Sequence, residues 1–229
     1  MSAEARFDGG QGKMTTGALR IALAGNPNCG KTTVFNAYTG ARQHVGNYPG
    51  VTVDRKEGHV RHGNADITLV DLPGTYSLTA YSMEELVARA ELGSGDVQAV
   101  INVVDASALE RNLLLTVQMM EMGLPVVLVC NMMDEARKAG VHIDMERLSA
   151  MMGIPVVSAV ARTGEGLQQA LGEAVRLAGE GRHQVLELNY GADIDEGLRA
   201  MCAIINREGL LKKYAPHWIA VKLMEGDAE

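Results

Sequence analysis

The residues Gly25 to Thr32, GNPNCGKT, match the pattern G-x-x-x-x-G-K-[ST] in full. That spacing suits a phosphate cradle. Gly25 and Gly30 let backbone amides turn inward around phosphate oxygens, and a helix opening at Lys31 adds the partial positive charge of its N-terminus. Asn26, Pro27, Asn28 and Cys29 form the body of the turn. Lys31 is placed to reach the β- and γ-phosphates, the Thr32 hydroxyl to ligate Mg²⁺, and Thr33 to extend the cradle into the helix. A chance Gly-rich turn between strand and helix is the bland alternative. The complete match, set between an apolar run and a helical pattern, argues against it.

Three further segments carry compatible chemistry. Asp71 to Gly74, DLPG, ends an apolar run. A carboxylate there can hold a Mg²⁺ shell through water, and the Gly74 amide can meet a γ-phosphate. Thr52 lies in the Gly- and Pro-containing stretch VGNYPGVTVD, where a Thr can close on Mg²⁺ in an order-to-disorder switch. Alone it would be a surface turn. Asn131 to Asp134, NMMD, follows the run PVVLVC. The Asp134 carboxylate can accept N1–H and N2–H of guanine, a donor pair that adenine lacks. Asn131 would tie this base loop to the phosphate loop. In the usual N-K-x-D form a Lys stem covers the base; Met132 stands there, which predicts weaker nucleotide affinity and faster exchange. The segment VARTGEG, Val160 to Gly166, fits a last base loop, with Val160 at the Ser position of S-A-x-x-G-x-G and the Ala161 amide reaching guanine O6. A second register would use Ser158 and Ala159; Gly164 and Gly166 favour the first. Cys29 reads as a small filler facing the phosphates rather than a reactive thiol.

These loops need a scaffold, and the apolar pattern supplies one. Leu19 to Ala24, Asp66 to Val70 (with a partner near Gly58 to His62), Val97 to Val104, Pro125 to Cys130 and Pro155 to Val160 read as strands. Their unbroken apolar character suits a parallel sheet covered on both faces. Helical patterns lie between them over Lys31 to Tyr38, Met83 to Leu92, Leu109 to Met122, Met145 to Met152 and Gly166 to Ala178. Strands alternating with helices define a doubly wound α/β fold, with a mostly parallel six-stranded sheet over residues 18–178. Residues 1–17 are polar, Gly-rich and non-periodic, and read as a disordered tail. Residues 179–229 lose the strand rhythm and read as a small helical domain over Ile194 to Arg207 and Leu210 to Met224.

Composition narrows the function classes. The 229 residues carry a net charge of −7 and 4% aromatics. Both disfavour nucleic-acid binding, which needs clustered cations and stacking rings. No apolar run is long enough to span a bilayer. The opening residues have no apolar signal core, so the default compartment is the cytosol. Three widely spaced Cys fit reduced thiols, and the 13 Met fit adaptable core packing. The six His form no close ligand cluster.

The strings GNPNCGKTT, VGNYPGVTVDRKEG, DLPGTYSL, VVDASALERNL and NMMD, in that order, resemble the N-terminal GTPase domain of the ferrous iron transport protein B family, over roughly residues 18–229. The resemblance implies a Ras-like P-loop GTPase domain followed by a helical, GDP-dissociation-inhibitor-like domain. It implies GTP, GDP, Mg²⁺ and K⁺ as cofactors. It further implies a Fe²⁺ permease as partner, absent from this chain, so that the chain is a piece of a larger protein at the cytoplasmic face of the bacterial inner membrane. Self-association is left open. Ras-like enzymes place a water-orienting Gln after DxxG; here Thr75 stands there. The chain resembles the potassium-activated GTPases, in which the Asn at the Asn28 position helps ligate K⁺ where an arginine finger otherwise acts. The expected catalytic group is then Asn28, Lys31, Thr52 and Gly74. The competing readings are a ribosome- or tRNA-associated K⁺-dependent GTPase and a nucleotide-gated binding module whose hydrolysis is incidental. Iron itself enters only through the resemblance.

Overall fold

The computed structural model describes residues 18–40, 43–181, 186, 188–208 and 214–227. The segment read as a disordered tail and residues 210–213 of the last expected helix lie outside the described residues. Seven strands form one sheet: β1 (Leu19–Gly25), β2 (Gln43–Asn47), β3 (Asp54–His62), β4 (Ala65–Asp71), β5 (Ala99–Asp105), β6 (Val126–Asn131) and β7 (Val156–Ser158). Their order is β2-β3-β4-β1-β5-β6-β7. The five strands from β4 to β7 are parallel, whereas β2 and β3 run antiparallel on one edge. The doubly wound α/β class therefore holds. The sheet has one strand more than expected, because QHVGN, with a single apolar side chain, pairs by its backbone at an edge that needs no apolar face.

Among the described residues, eight α-helices connect and flank the sheet: α1 (Lys31–Thr39), α2 (Met83–Leu92), α3 (Leu109–Glu121), α4 (Met133–Lys138), α5 (Met145–Met152), α6 (Leu167–Glu180), α7 (Ala192–Glu208) and α8 (Pro216–Met224). Alternation along β1 decides what each face receives. Ile21 and Leu23 pack with Val34 and Phe35 of α1 and with Leu167, Ala170, Leu171 and Ala174 of α6. Ala22 and Ala24 face the other way, to Leu115 and Met119 of α3 and Leu92 of α2. The same cluster takes in Leu198 and Ile205 of α7 and Trp218 and Ile219 of α8, so the C-terminal helices share their core with α2 and α3. Met119, Met120 and Met122 are buried in this second cluster, and Met133 in a third one with Val104, Leu128 and Cys130.

The register aligns the chemistry. Leu23 pairs with Asp71, Gly25 with Val103, and Asp105 with Asn131. The residues singled out by type thus emerge together at the carboxyl ends of parallel strands. There β1 has β4 on one side and β5 on the other, which is the crevice where open α/β sheets bind ligands.

Candidate nucleotide site

The phosphate loop leaves β1 at Gly25 and enters α1 at Lys31. Two residues adopt left-handed backbone, Asn28 at φ 66° and Gly30 at φ 85°. Gly30 must also lack a side chain, because a Cβ there would strike the Asn131 amide nitrogen. A Cβ on Gly25 would meet the Val103 carbonyl oxygen at 2.5 Å. The amides of Lys31, Thr32 and Thr33 open the helix and, by position, have no helical acceptor. Thr32, Thr33, Pro27 and Asn28 are exposed, whereas Asn26 and Cys29 are buried. Neither polar atom of the Asn26 amide has a hydrogen-bond partner among the described residues. Burial pushes the Cys29 thiol up to about 11, against the smaller opposing effect of the Lys31 amide and charge. It is therefore protonated at neutral pH and a poor nucleophile.

Lys31 Nζ pairs with Asp71 Oδ1, which brings the two phosphate-side charges together. Beyond Asp71, the Leu72 amide donates to the Leu23 carbonyl at 3.0 Å and the Thr75 amide to the Gly25 carbonyl at 3.3 Å. Gly74 lies over Pro27, where a Cβ would stand 3.5 Å from its Cα. The DLPG turn is thus zipped onto the phosphate loop. Thr75 is 4% exposed, so its side chain does not present a hydroxyl to solvent at the position where Ras-like enzymes use Gln. The following segment is anchored from below: Gln118 Oε1 accepts the Leu78 amide at 2.7 Å. Ser82 caps α2 and exchanges bonds with Glu85 in a capping box. Thr52 is exposed in a loop closed by the Tyr48 amide donating to the Val53 carbonyl at 2.9 Å.

Asn131 joins the two halves of the site. Its Nδ2 donates to the Cys29 carbonyl at 2.9 Å, and its Oδ1 accepts the Ala161 amide at 2.9 Å. The bonds differ from the expectation that the Ala161 amide faces the base: that donor is spent on Asn131. The Ala159 amide of the other register is spent on the Cys130 carbonyl, at 2.9 Å. The next amide, of Arg162, has no protein acceptor among the described residues. Met132, at φ 61°, caps α4 and reaches back to the phosphate loop, with its Cε 3.4 Å from the Cβ position of Gly30. The apolar stem expected of an N-K-x-D Lys is thereby kept and its charge lost. Asp134 stands in the first turn of α4, and its Oδ2 accepts from Arg162 Nη2 at 3.0 Å. The Asn131 tie to the phosphate loop is the one expected from the sequence, whereas its bond to the Ala161 amide and the Arg162–Asp134 pair escaped that reading; the place of Arg162 one residue beyond Ala161 in the last base loop was the available signal.

Thr32, Thr52, Asp71 and Asn28 carry hydroxyl, carboxylate and amide oxygens, all hard donors suited by type to Mg²⁺ and K⁺ rather than to soft metals. No group of three or more His, Cys, Asp or Glu among the described residues forms a metal cluster. No described helix is long and apolar enough to cross a membrane.

Fold and site together define a P-loop nucleotide-binding domain of the G-domain class, with a helical module packed on its α2–α3 side. Residues 19–174 match the family described as ferrous iron transport protein B, and residues 190–229 match the cytosolic helical domain of the same family. The chain belongs to the ferrous iron transport protein B family. It is similar to the Fe(2+) transport protein A/Fe(2+) transporter FeoB fusion protein of Porphyromonas gingivalis, with 50% identity over 92% of this chain and 26% of that one. The Fe(2+) transporter FeoB of Escherichia coli K12 is 42% identical over 91% of this chain and 27% of its own. The chain thus spans about a quarter of the length of these curated relatives. Among solved structures, the cytosolic domain of the T. maritima FeoB iron transporter in its GMPPNP form superposes with a TM-score of 0.87 at 39% identity, covering 92% of this chain and 82% of that one. The cytosolic domain of L. pneumophila FeoB gives 0.81 at 38% identity, covering 91% and 88%.

Proposed function

We propose that this chain binds GTP and GDP, hydrolyses GTP, and serves as the nucleotide-dependent switch of a ferrous iron transporter whose permease lies outside it. The observation that carries the reading is the Asn131 bridge, which ties the phosphate loop to the last base loop, with Asp134 three residues further on in the first turn of α4. GDP and GMPPNP forms of the T. maritima relative support nucleotide binding at this fold.

The residues divide the work. Gly25, Asn26, Pro27, Asn28, Cys29, Gly30, Lys31, Thr32 and Thr33 cradle the phosphates. Asn131 and Met132 hold the base from the phosphate-loop side, Asp134 accepts its N1–H and N2–H, and the loop from Val160 through Ala161 presents the Arg162 amide to O6. Thr32, Thr52 and, through water, Asp71 would hold Mg²⁺, which neutralises charge on the β- and γ-phosphates. For Lys31 this means exchanging its Asp71 partner for phosphate. The Gly74 amide meets the γ-phosphate and reports its presence to the segment leading into α2. Asn28 would hold K⁺, which stands in for an arginine finger. The domain would sit at the cytoplasmic face of the membrane beside its permease, with residues 179–229 as the helical unit between them.

Steady-state phosphate release in KCl against NaCl tests this. Hydrolysis is expected to be faster in K⁺, and Asn28→Ala to abolish the difference while leaving GDP binding in place. Lys31→Ala and Asp134→Ala are expected to lower GTP affinity at least tenfold, since each removes a charged contact to the nucleotide. Equal rates in the two salts would overturn the K⁺ assignment; tight ATP binding would overturn the guanine assignment.

A further inference from the structure

We propose that Arg162 sets nucleotide affinity and exchange by competing with guanine for the Asp134 carboxylate. The inference rests on the reading of Asp134 as the guanine acceptor. A guanine base takes both carboxylate oxygens, one for N1–H and one for N2–H. In the structure one of them, Oδ2, already accepts from Arg162 Nη2 at 3.0 Å. A docking base therefore competes with the guanidinium for this oxygen, and its own hydrogen bonds there weaken to the extent that the ion pair persists.

The two partners are unequally free to move. Asp134 sits in the first turn of α4, whose start is fixed by the Met133 amide on the Ala159 carbonyl and the Ala136 amide on the Met132 carbonyl. Its side chain is 27% exposed, whereas that of Arg162 is 77% exposed. The guanidinium can thus swing into water while the carboxylate stays. It is also tethered in the right place: the same residue offers the amide that lies next after Ala161 in the base loop. Arg162 therefore approaches the base with its backbone and opposes it with its side chain. Met132 brings no charge to the pocket, so it neither repels the guanidinium nor competes for Asp134.

An ion pair this exposed is weak and screened by salt. Its removal is expected to tighten GDP binding about two- to fivefold, chiefly by slowing dissociation. The signature of competition lies in the choice of base. Inosine lacks the 2-amino group and needs one carboxylate oxygen fewer, so it coexists better with the ion pair.

The test uses this chain with fluorescently labelled GDP and IDP in low-salt NaCl, comparing wild type, Arg162→Ala, Arg162→Lys, Asp134→Ala and the Arg162→Ala/Asp134→Ala double variant. Arg162→Ala is expected to bind GDP two- to fivefold more tightly, with a smaller gain for IDP. The gain should shrink at high NaCl, and Arg162→Lys should stay near wild type. In the Asp134→Ala background, removing Arg162 should change nothing further. Unchanged or weaker GDP binding by Arg162→Ala overturns the inference. So does an equal gain for GDP and IDP, which would place the guanidinium's effect on the diphosphate or the loop. A wild-type chain that fails to bind GDP, or an Asp134→Ala variant that binds it as tightly, overturns the reading of the pocket itself, and this inference with it.

Discussion

At the scale of single residues the site depends on Asn131 more than on any charged group. Its amide satisfies a carbonyl of the phosphate loop and an amide of the last base loop, both buried. Replacing it with Ala leaves two buried backbone groups without their partners, at a cost of about 1–3 kcal/mol. Asn131→Ala is therefore expected to lower the urea midpoint as well as nucleotide affinity, whereas Lys31→Ala should affect affinity far more than stability. Gly30→Ala should resemble Asn131→Ala, since the new methyl would occupy the place of the Asn131 nitrogen and sit on left-handed backbone. Most of this constellation was legible from residue type and spacing: GNPNCGKT, DLPG and NMMD each announce their chemistry. The last base loop was not. The Val160–Ala161 and Ser158–Ala159 registers lie two residues apart with similar small side chains, and only the folded chain shows that the Ala161 amide is spent on Asn131 Oδ1 and the Ala159 amide on the Cys130 carbonyl. The Arg162–Asp134 pair was hidden for a related reason. The two residues are 28 positions apart, and nothing in either segment signals the other.

At the scale of elements, apolar runs located the parallel strands and 3.6-residue spacing located the long helices, because both faces of this sheet are buried and each periodicity is set by burial. The α2 and α5 bounds agree with the sequence reading to the residue. β2 and α4 went unread. Five mostly polar residues at a sheet edge and a six-residue helix starting inside a binding motif bury too little to leave a pattern. One charge network crosses these elements. Arg20 of β1 donates to Glu57 of β3 at 2.8 Å and to Glu91 of α2 at 2.7 Å, and Arg55 also reaches Glu57 at 2.8 Å. Burial alone would raise the Glu57 carboxyl, but Arg20 and Arg55 more than offset it and hold it below the usual carboxylate range. A carboxyl lowered in the folded state contributes stability above its ordinary range, and that contribution is lost as pH falls through the lowered value. Glu57→Gln should thus cost about 1 kcal/mol at neutral pH. The gap to wild type in urea midpoints should hold from pH 7 to about pH 5 and narrow only below that, as the pH falls through the ordinary and then the lowered carboxyl range. A gap that stays constant with pH would show that packing, not charge, ties β3 to α2.

At the scale of the whole molecule, the question is how a change at the phosphates would reach the C-terminal helices. The path is short. The DLPG turn is bonded to β1, the segment after it is pinned to α3 by Gln118 and to α2 by the Glu85 capping box, and α2 carries Arg89 onto α8. Arg89 Nη1 donates to Asp227 Oδ2 at 2.7 Å, and its guanidinium lies 4.7 Å from the centre of the Trp218 ring. On α8 itself, Lys222 Nζ lies 5.6 Å from the same ring and pairs with Glu225 at 2.6 Å. Arg89 and Asp227 are both largely buried, with side chains 9% and 5% exposed. Breaking such a pair from one side is expensive, about 3–5 kcal/mol, because a charge stays behind in a poorly solvated place. Arg89→Ala is accordingly expected to destabilise the chain by about 3 kcal/mol. Arg89→Met paired with Asp227→Asn, which removes both charges and keeps volume, should recover a large part of that loss. The double-mutant cycle in urea measures the coupling directly, and amide exchange in α8 reports whether the helix loosens before the sheet does. A cost of about 1 kcal/mol or less, the level of a surface pair, would mean that α8 is held by Trp218 and its apolar neighbours alone. In that case a displacement of α2 would slide past the helical module instead of pulling on it.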